Sequence, residues 1–212
     1  RWLVHAGRCF AAVFHAPDVQ ELAPLLKTLD DLVRWLDSSG VPGVLIGGVA
    51  ASLLGRPRTT RDVDVLILLD TPHWQAFLDA GASYGFKPRL TEAVDFARKS
   101  RVLLVRHEPS GIDVDVVFGA LHFEEEAVRH PVLVDVGGIQ VPLPTPEDLI
   151  VMKAVAHRPR DLIDIQSILD AHPDIDIKRI RRWLVEFSAA LDLPDLYDDV
   201  NRLLSGIKPE NK

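Results

Sequence analysis

The segment from Leu45 to Leu68 constrains the fold more than any other part of the sequence. The glycine pair Gly47 and Gly48 follows a short apolar run, and Asp62 and Asp64 alternate with valines at the start of a second apolar run. Glycines let backbone N–H groups approach an anion closely, and two carboxylates on one strand face can share a divalent cation. The segment therefore predicts two strands joined by a brief helix, with a site for a metal-bound phosphate between them.

The composition is that of an ordinary soluble globular protein. The 212 residues suffice for one domain plus a helical appendix, and no apolar run approaches the length of a membrane span. With 24 basic and 31 acidic residues, the net charge is −7, which argues against a positive coat for non-specific nucleic-acid binding but permits a local basic patch. The single cysteine, Cys9, excludes an internal disulfide and fits a reducing compartment. We find no export signal in the first 16 residues, assign them no function, and expect a cytoplasmic protein without a membrane partner.

Apolar periodicity predicts helices and strands along most of the chain. Up to residue 145 it predicts helices over residues 18–36 and 73–84, a brief helix ending at 54, and strands over 44–46, 63–69, 86–90, 102–106 and 112–118, with a last sheet element over 132–141. The residues from Glu108 to Gly111 predict a tight hairpin. From Thr145 to Leu204 the pattern is helical, with interruptions at Pro159, Pro173 and Pro194.

These elements predict an α+β fold, with a small mixed or antiparallel sheet flanked by helices and an all-helical C-terminal part. We place the sheet-containing domain at residues 18–145 and the helical domain at residues 146–212. Thr145 is a good N-cap for the first C-terminal helix, Pro146 suits its first position, and Asp148 can close a pair resembling a capping box.

Two pairs of aspartates are candidates for a metal site. Residues i and i+2 of a strand project from the same face, so Asp62 and Asp64 can hold one cation together. On a later strand Asp113 and Asp115 also share a face, and Asp115 is the preferred third ligand, with Asp113 as the alternative. Such aspartates more commonly cap helices or face water, and a glycine pair alone indicates only a turn. The order of strand, glycines and acidic strand favours the metal site.

Three short motifs resemble the signature of the DNA polymerase beta-like nucleotidyltransferase superfamily: Ile46-Gly47-Gly48, Asp62-Val63-Asp64 and Val114-Asp115-Val116. The resemblance implies the nucleotidyltransferase fold and a metal-dependent transfer of a nucleoside monophosphate from a nucleoside triphosphate, with release of pyrophosphate. It implies that the two glycines bind the triphosphate, and that Mg²⁺ or Mn²⁺ is held by Asp62, Asp64 and Asp115. The sequence departs from many members in having Gly48 where they have serine.

A narrower resemblance, covering residues 43–204, is to the abortive-infection type nucleotidyltransferase toxins. Two sets of residues carry it: Arg58, Thr60, Asp62 and Asp64 in the acidic motif, and Lys153, Arg160, Asp161 and Asp164 in a later one. The resemblance implies that Lys153 is catalytic and stabilises the leaving pyrophosphate. It also implies a nucleotide-binding role for Arg58, Thr60, Arg160, Asp161 and Asp164.

Several of these residues also have a purely structural interpretation. Lys153 lies in an apolar helix and could extend its amine to solvent, while Asp161 and Asp164 could cap a helix or form local ion pairs. A group of basic residues predicts a helix face that is either solvated or tracks RNA phosphates: Lys178, Arg179, Arg181 and Arg182. Three aromatic residues are expected in the core: Trp183, Phe187 and Tyr197.

The sequence therefore predicts a magnesium-dependent nucleotidyltransferase that uses a nucleoside triphosphate and an acceptor hydroxyl on RNA, such as tRNA, or on protein. The narrower resemblance implies a toxin of a toxin–antitoxin system, with an antitoxin protein as partner. One alternative is a nucleotidyltransferase that modifies a small-molecule antibiotic. The other is a catalytically silent nucleotide-binding module with a regulatory role.

Overall fold

The computed structural model describes residues 19–205, so the predictions for residues 1–16, Cys9 included, lie outside the described residues. Within this range the chain forms nine α-helices and seven strands. The helices are α1 (Val19–Ser39), α2 (Gly47–Leu54), α3 (Trp74–Gly81), α4 (Ala93–Ser100), α5 (His122–Arg129), α6 (Pro146–Ala156), α7 (Pro159–Ala171), α8 (Ile177–Leu191) and α9 (Pro194–Ser205). The strands are β1 (Gly43–Ile46), β2 (Asp62–Ile67), β3 (Phe86–Pro88), β4 (Val102–His107), β5 (Ile112–Phe118), β6 (Val132–Val136) and β7 (Ile139–Leu143).

Five strands form one mixed sheet in the order β1-β2-β5-β4-β3. The central strands β2 and β5 run parallel, and all other neighbours in this sheet are antiparallel. The register pairs Asp62 with Asp113 and Asp64 with Asp115. Because alternate residues of a strand share a face, all four aspartates project from the same side of the sheet. β6 and β7 form a separate antiparallel pair.

The opposite side of the sheet is an apolar packing surface. The alternating valines of β2 and β5 are fully buried there: Val63, Val65, Val114 and Val116. Aromatic rings of the neighbouring helices extend this core, since Trp35 of α1 stacks on Phe77 with ring centroids 4.2 Å apart, and Trp74 of α3 stacks on Phe118 at 3.7 Å. The burial of large rings on this side fixes which face of β2 and β5 must carry the acids.

The acidic side of the sheet carries an apolar cluster at the end far from Asp62 and Asp113. There Leu66 packs with Val44 of β1 and Val128 of α5, and Met152 of α6 packs against this cluster. The helices α5 and α6 thus cover one half of the face, and the half that bears the aspartates forms the floor of a cleft.

The helices after residue 145 pack onto the same continuous core as the sheet, through residues such as Leu149, Ile165, Ile168, Leu184 and Leu204. Thr145 caps α6 as predicted, because its hydroxyl accepts from the backbone N–H of Asp148 at 3.2 Å. The predicted capping-box pair is wrong, since the carboxylate of Asp148 instead accepts from Arg179 at 2.8 Å. The domain division at residues 145 and 146 stays a prediction.

The α+β prediction is confirmed, and several individual elements differ from it. The strand predicted over 86–90 ends at Pro88, and the element predicted over 132–141 is a hairpin that turns at Gly137 and Gly138, with φ of +64° and +89°. Helices α4 and α5 have no counterpart in the sequence-based prediction. None of the described helices combines the length and hydrophobicity needed to cross a bilayer.

Candidate active site

The turn between β1 and α2 brings the backbone directly over an acidic side chain. Gly47 has a φ of +66°, which favours glycine, and a Cβ added there would lie 1.9 Å from Oδ2 of Asp64. A Cβ added to Gly48 would lie 2.8 Å from the hydroxyl oxygen of Thr60 and 3.2 Å from Nη2 of Arg58. The glycine pair therefore allows the start of α2 to touch the segment that carries the acids.

A cleft with a volume of about 950 Å³ lies above the acidic half of the sheet. Asp62, Asp64 and Asp115 line it together with the glycine pair, whereas the alternative ligand Asp113 is not among the lining residues. Thr60 also lines the cleft and donates to Oδ1 of Asp62 at 3.1 Å. The basic residues of the lining come from the loop before β2, from α6, and from the N-cap and first turn of α7: Arg58, Arg61, Lys153, Arg158 and Arg160.

The negative charge of the carboxylates on the floor of the cleft is not balanced by the cationic side chains around them. Burial, followed by the negative charges of Asp62 and Asp115, raises the pKa of Asp64 to about 6. Burial also raises the pKa of Asp115, although the guanidinium of Arg89 opposes this shift. Groups of like charge that are held together in this way gain from a bound cation.

Arg89 is a residue of this site that the sequence motifs do not indicate. It follows β3, and its backbone N–H donates to the carbonyl of Leu104 at 2.9 Å. Its guanidinium donates to a carboxylate oxygen of Asp115 and, at 3.3 Å, to Oδ2 of Asp113. The proximity of Arg89 to Asp115 depends on the register of β3 against β4, which no local sequence pattern indicates.

Within residues 19–205, no three side chains of His, Cys, Asp or Glu lie close enough together to form a preassembled metal centre. The chemistry of the cleft floor nevertheless fits a hard divalent cation, which prefers carboxylate oxygens. The raised pKa of Asp64 supports this fit, because its first causes are burial and unmatched negative charge. The residues that could hold the cation are Asp62, Asp64 and Asp115.

A second group of charges lies beside the first and is almost fully paired. The ammonium of Lys153 donates to Oδ1 of Asp161 at 3.0 Å and to Oδ2 of Asp164 at 2.8 Å, and only 8% of the lysine side chain is exposed. The interpretation in which Lys153 extends to solvent is therefore wrong. Arg58 donates two hydrogen bonds of 2.8 Å to the same carboxylate of Asp164. Although burial acts to raise it, these hydrogen bonds from Arg58 and Lys153 hold the pKa of Asp164 below its ordinary range.

Asp161 serves both as a cap and as a partner of Lys153. Its Oδ2 accepts from the backbone N–H of Arg158 at 3.1 Å, at the start of α7, while Oδ1 binds the lysine. The side chains of Arg61, Arg158 and Arg160 are exposed around the mouth of the cleft. The structure thus brings the predicted site residues into one cleft or its immediate support.

The basic face predicted on α8 is only partly formed. Arg179 turns inward and donates two hydrogen bonds to Oδ1 of Asp148. Arg181 donates to Asn201 at 3.0 Å. The guanidinium of Arg182 lies 5.2 Å from the centroid of the Trp183 ring. Of the aromatic residues expected in the core, Trp183 is buried and Phe187 packs against the core. The side chain of Tyr197 lies outside the described residues.

A mixed five-stranded sheet with a glycine turn and with acids on two adjacent central strands defines a protein of the nucleotidyltransferase fold. The chain belongs to the family described as "Nucleotidyl transferase AbiEii toxin, Type IV TA system", which it matches over residues 30–206. This membership confirms the superfamily and family predicted from the motifs, and the protein is a nucleotidyltransferase.

Solved structures share the fold at low sequence identity. An antigenic nucleotidyltransferase-like protein from Paracoccidioides brasiliensis is 19% identical with a TM-score of 0.50, over 87% of this chain and 94% of that chain. The solution structure of the antibiotic-resistance factor ANT(2'')-Ia is 13% identical with a TM-score of 0.52, over 85% of this chain and 98% of that chain. A crystal structure of ANT(2")-Ia with adenylyl-2"-tobramycin is 14% identical, also with a TM-score of 0.52, over 79% and 99% of the two chains. No curated protein matches the chain in sequence.

Proposed function

We propose that the cleft transfers a nucleoside monophosphate from a nucleoside triphosphate to a hydroxyl of an RNA acceptor, with Mg²⁺ or Mn²⁺, and releases pyrophosphate. The observation that carries this proposal is the meeting of Asp62, Asp64 and Asp115 beside the glycine turn in one cleft. When bound by these carboxylates, a divalent ion supplies neutralisation of phosphate charge and activation of the attacking hydroxyl.

The triphosphate site is assigned to the start of α2 and the arginines beside it. Backbone N–H groups at Gly47 and Gly48 stand at the positive end of a helix, which favours phosphate. Arg58 reaches the glycine turn while Asp164 fixes its guanidinium through two hydrogen bonds, and an arginine so oriented suits a phosphate group.

Lys153 is assigned a positioning role within this site. Its ammonium is held between Asp161 and Asp164, so its charge is already matched by two carboxylates. Through Asp164 it shares a carboxylate with Arg58. We therefore propose that Lys153, Asp161 and Asp164 together fix Arg58, in place of the direct contact between Lys153 and pyrophosphate that the family resemblance implies.

The charge at the cleft mouth supports RNA as the acceptor. Arg61, Arg158 and Arg160 are exposed there, and Arg61 and Arg160 form no ion pair with any carboxylate of the described residues. Exposed arginines attract a phosphate backbone, whereas a polycationic aminoglycoside requires acidic groups at the same place. The mouth therefore favours RNA over such an antibiotic, although the protein as a whole is acidic.

A labelled-transfer assay tests the proposal. The full chain is incubated with Mg²⁺, each labelled nucleoside triphosphate in turn, and total RNA or a protein extract. We expect labelled RNA from the wild type, and a decrease of about a thousandfold or more for the Asp62→Ala/Asp64→Ala double variant, since the cation site is then lost. The exposed Asp70, which follows β2, provides the matched control as Asp70→Ala.

The outcomes separate the proposal from its alternatives. Unchanged incorporation by the double variant, with a melting temperature no lower than that of the wild type, contradicts the assignment of the acids. Saturable nucleotide binding without any labelled product indicates the silent module. Antibiotic resistance on expression, without labelled RNA, indicates the small-molecule acceptor.

We further propose that the transfer makes the protein the toxin of a toxin–antitoxin pair. Support comes from the family description, which places its members in type IV systems. Induced expression of the wild type is expected to arrest bacterial growth, while the Asp62→Ala/Asp64→Ala variant at equal abundance leaves growth unaffected. Equal arrest by both proteins contradicts a toxic role for nucleotidyl transfer.

A further inference from the structure

Arg89 lies in the same row of the sheet as the two acids at the centre of the cleft floor. Its backbone N–H bonds to the carbonyl of Leu104, Leu104 pairs with Asp115, and Asp115 pairs with Asp64. Because residues aligned across adjacent strands project from the same face, the side chain of Arg89 reaches over Leu104 to Asp115. The residue that follows edge strand β3 thus brings a cation to the acidic face from the side opposite the glycine turn.

The guanidinium of Arg89 binds the preferred third ligand directly. It donates to Asp115 and, at 3.3 Å, to Oδ2 of Asp113, and 26% of its side chain is exposed. Asp113 has a second cation nearby, since Nε of Arg106 lies 3.6 Å from its Oδ1. Among the described residues, Asp115 forms an ion pair with Arg89 alone.

We infer that Arg89 is an internal competitor of the divalent cation, withholding Asp115 from metal until a nucleotide arrives. The inference rests on the proposed function, in which Asp115 is a metal ligand. A guanidinium and a dication on the same carboxylate repel each other, so Arg89 weakens the binding of the ion at Asp115 until it leaves. Asp62 and Asp64 have no such guanidinium partner among residues 19–205, and the three acids do not form a preassembled centre.

The incoming triphosphate competes with Asp115 for the guanidinium of Arg89. An incoming polyanion offers the guanidinium a partner of greater negative charge than one carboxylate, and the released Asp115 then becomes available to the cation. Full metal loading is thereby coupled to nucleotide binding, and the nucleotide-free protein holds less metal than its acidic residues would allow.

Mn²⁺ binding to the nucleotide-free full chain tests the inference, with bound metal measured from the loss of the free Mn²⁺ signal in electron paramagnetic resonance. We expect Arg89→Gln to raise the affinity for Mn²⁺ about tenfold, because the competing charge is removed. Arg89→Lys keeps the charge and should remain within about threefold of the wild type. Arg106→Gln is the matched control, because Arg106 lies near Asp113 and not Asp115.

A double-variant comparison locates the competition. In the Asp115→Asn background, Arg89→Gln should no longer raise the affinity. A persistent gain there, or unchanged or weaker Mn²⁺ binding by Arg89→Gln alone, overturns the inference. Failure of the proposed function has a different signature, because Asp62→Asn/Asp64→Asn would then bind Mn²⁺ as tightly as the wild type, which overturns both.

Discussion

Two groups of carboxylates meet in one cleft, and they are in opposite electrostatic states. On the sheet, burial and neighbouring negative charges raise the pKa of Asp64 to about 6. On the helical side, burial acts in the same direction, but hydrogen bonds from Arg58 and Lys153 lower the pKa of Asp164. Burial is therefore common to both groups, and the number of cationic partners decides the direction of the shift.

The difference suggests a division of labour within the cleft. The helical group, with Lys153 and Arg58 bound to Asp161 and Asp164, already contains the charges it needs and is suited to hold side chains in place. The sheet group has fewer cations than carboxylates and is suited to take up a cation. Removing a carboxylate should consequently have opposite effects on stability in the two groups.

Removing Asp164 should give the largest effect on stability. Asp164→Ala leaves Lys153 and Arg58 without a shared partner, and breaking a buried ion pair from one side costs about 3–5 kcal/mol. We expect a loss of about 3 kcal/mol in the free energy of unfolding at pH 8, measured by urea denaturation. The folded-state pKa of Asp164 is below its ordinary value of 3.8, so this stabilisation is present above about pH 4 and is lost as the pH falls further.

Asp170 provides the matched control for this prediction. It lies on the same helix, α7, and accepts a hydrogen bond of 2.8 Å from Arg56 of the loop before β2, but 41% of its side chain is exposed. Asp170→Ala should cost less than about 1 kcal/mol, as exposed ion pairs generally do. Equal losses for the two variants would contradict a supporting role for the buried group.

The contrast between the two groups also shows which parts of the candidate site can be predicted from the sequence. The glycine turn and the shared face of the acids on β2 and on β5 follow from short-range patterns, because strand periodicity decides which side chains share a face. Periodicity does not separate Asp115 from Asp113, because both side chains project from the same face. The partners do not follow in this way, since Arg58 and Asp164 are 106 positions apart and Arg89 and Asp115 are 26 apart. Such pairings depend on helix packing and strand register, which no local pattern encodes.

The two helices that were not predicted illustrate the same limit at shorter range. In α4, only Ala93, Val94 and Ala97 are buried, so the apolar stripe is narrow and made of small side chains. In α5 a signal was present, because Phe123 and Ala127 are spaced at i and i+4. Glu124 also accepts from the backbone N–H of Leu121 at 2.9 Å, which marks the start of that helix.

Removing the charge of Asp64 should have a smaller effect of the opposite sign. Its folded-state pKa, about 6, exceeds the ordinary value of 3.8, so the folded state binds the proton more tightly and loses stability as the pH rises between these values. Asp64→Asn abolishes that loss. We expect a gain of about 1–2 kcal/mol in the free energy of unfolding at pH 8 without divalent ions, and no gain at pH 4.

A control variant and the addition of Mg²⁺ test this prediction further. The exposed Asp70 supplies the control, since Asp70→Asn should change stability by less than about 0.5 kcal/mol at either pH. Adding Mg²⁺ should raise the melting temperature of the wild type more than that of Asp64→Asn, because ligand binding to the folded state stabilises it. A gain for Asp64→Asn that is the same at pH 4 and pH 8 would show that charge repulsion is not its cause.

The smallest effect is expected at Thr60, which orients a carboxylate without changing its charge. Its hydroxyl donates to Oδ1 of Asp62 and to the backbone carbonyl of the same residue, both at 3.1 Å, and it is the atom nearest to a Cβ added at Gly48. Thr60→Val keeps the shape of the side chain and removes this donor. Because the bond is partly exposed, we expect a loss of less than about 1 kcal/mol in stability, together with a decrease of up to about tenfold in labelled transfer. Thr59→Val, at the adjacent exposed position, should leave both quantities unchanged; a loss of transfer as large as that of the Asp62→Ala/Asp64→Ala variant would instead make the hydroxyl of Thr60 a direct participant.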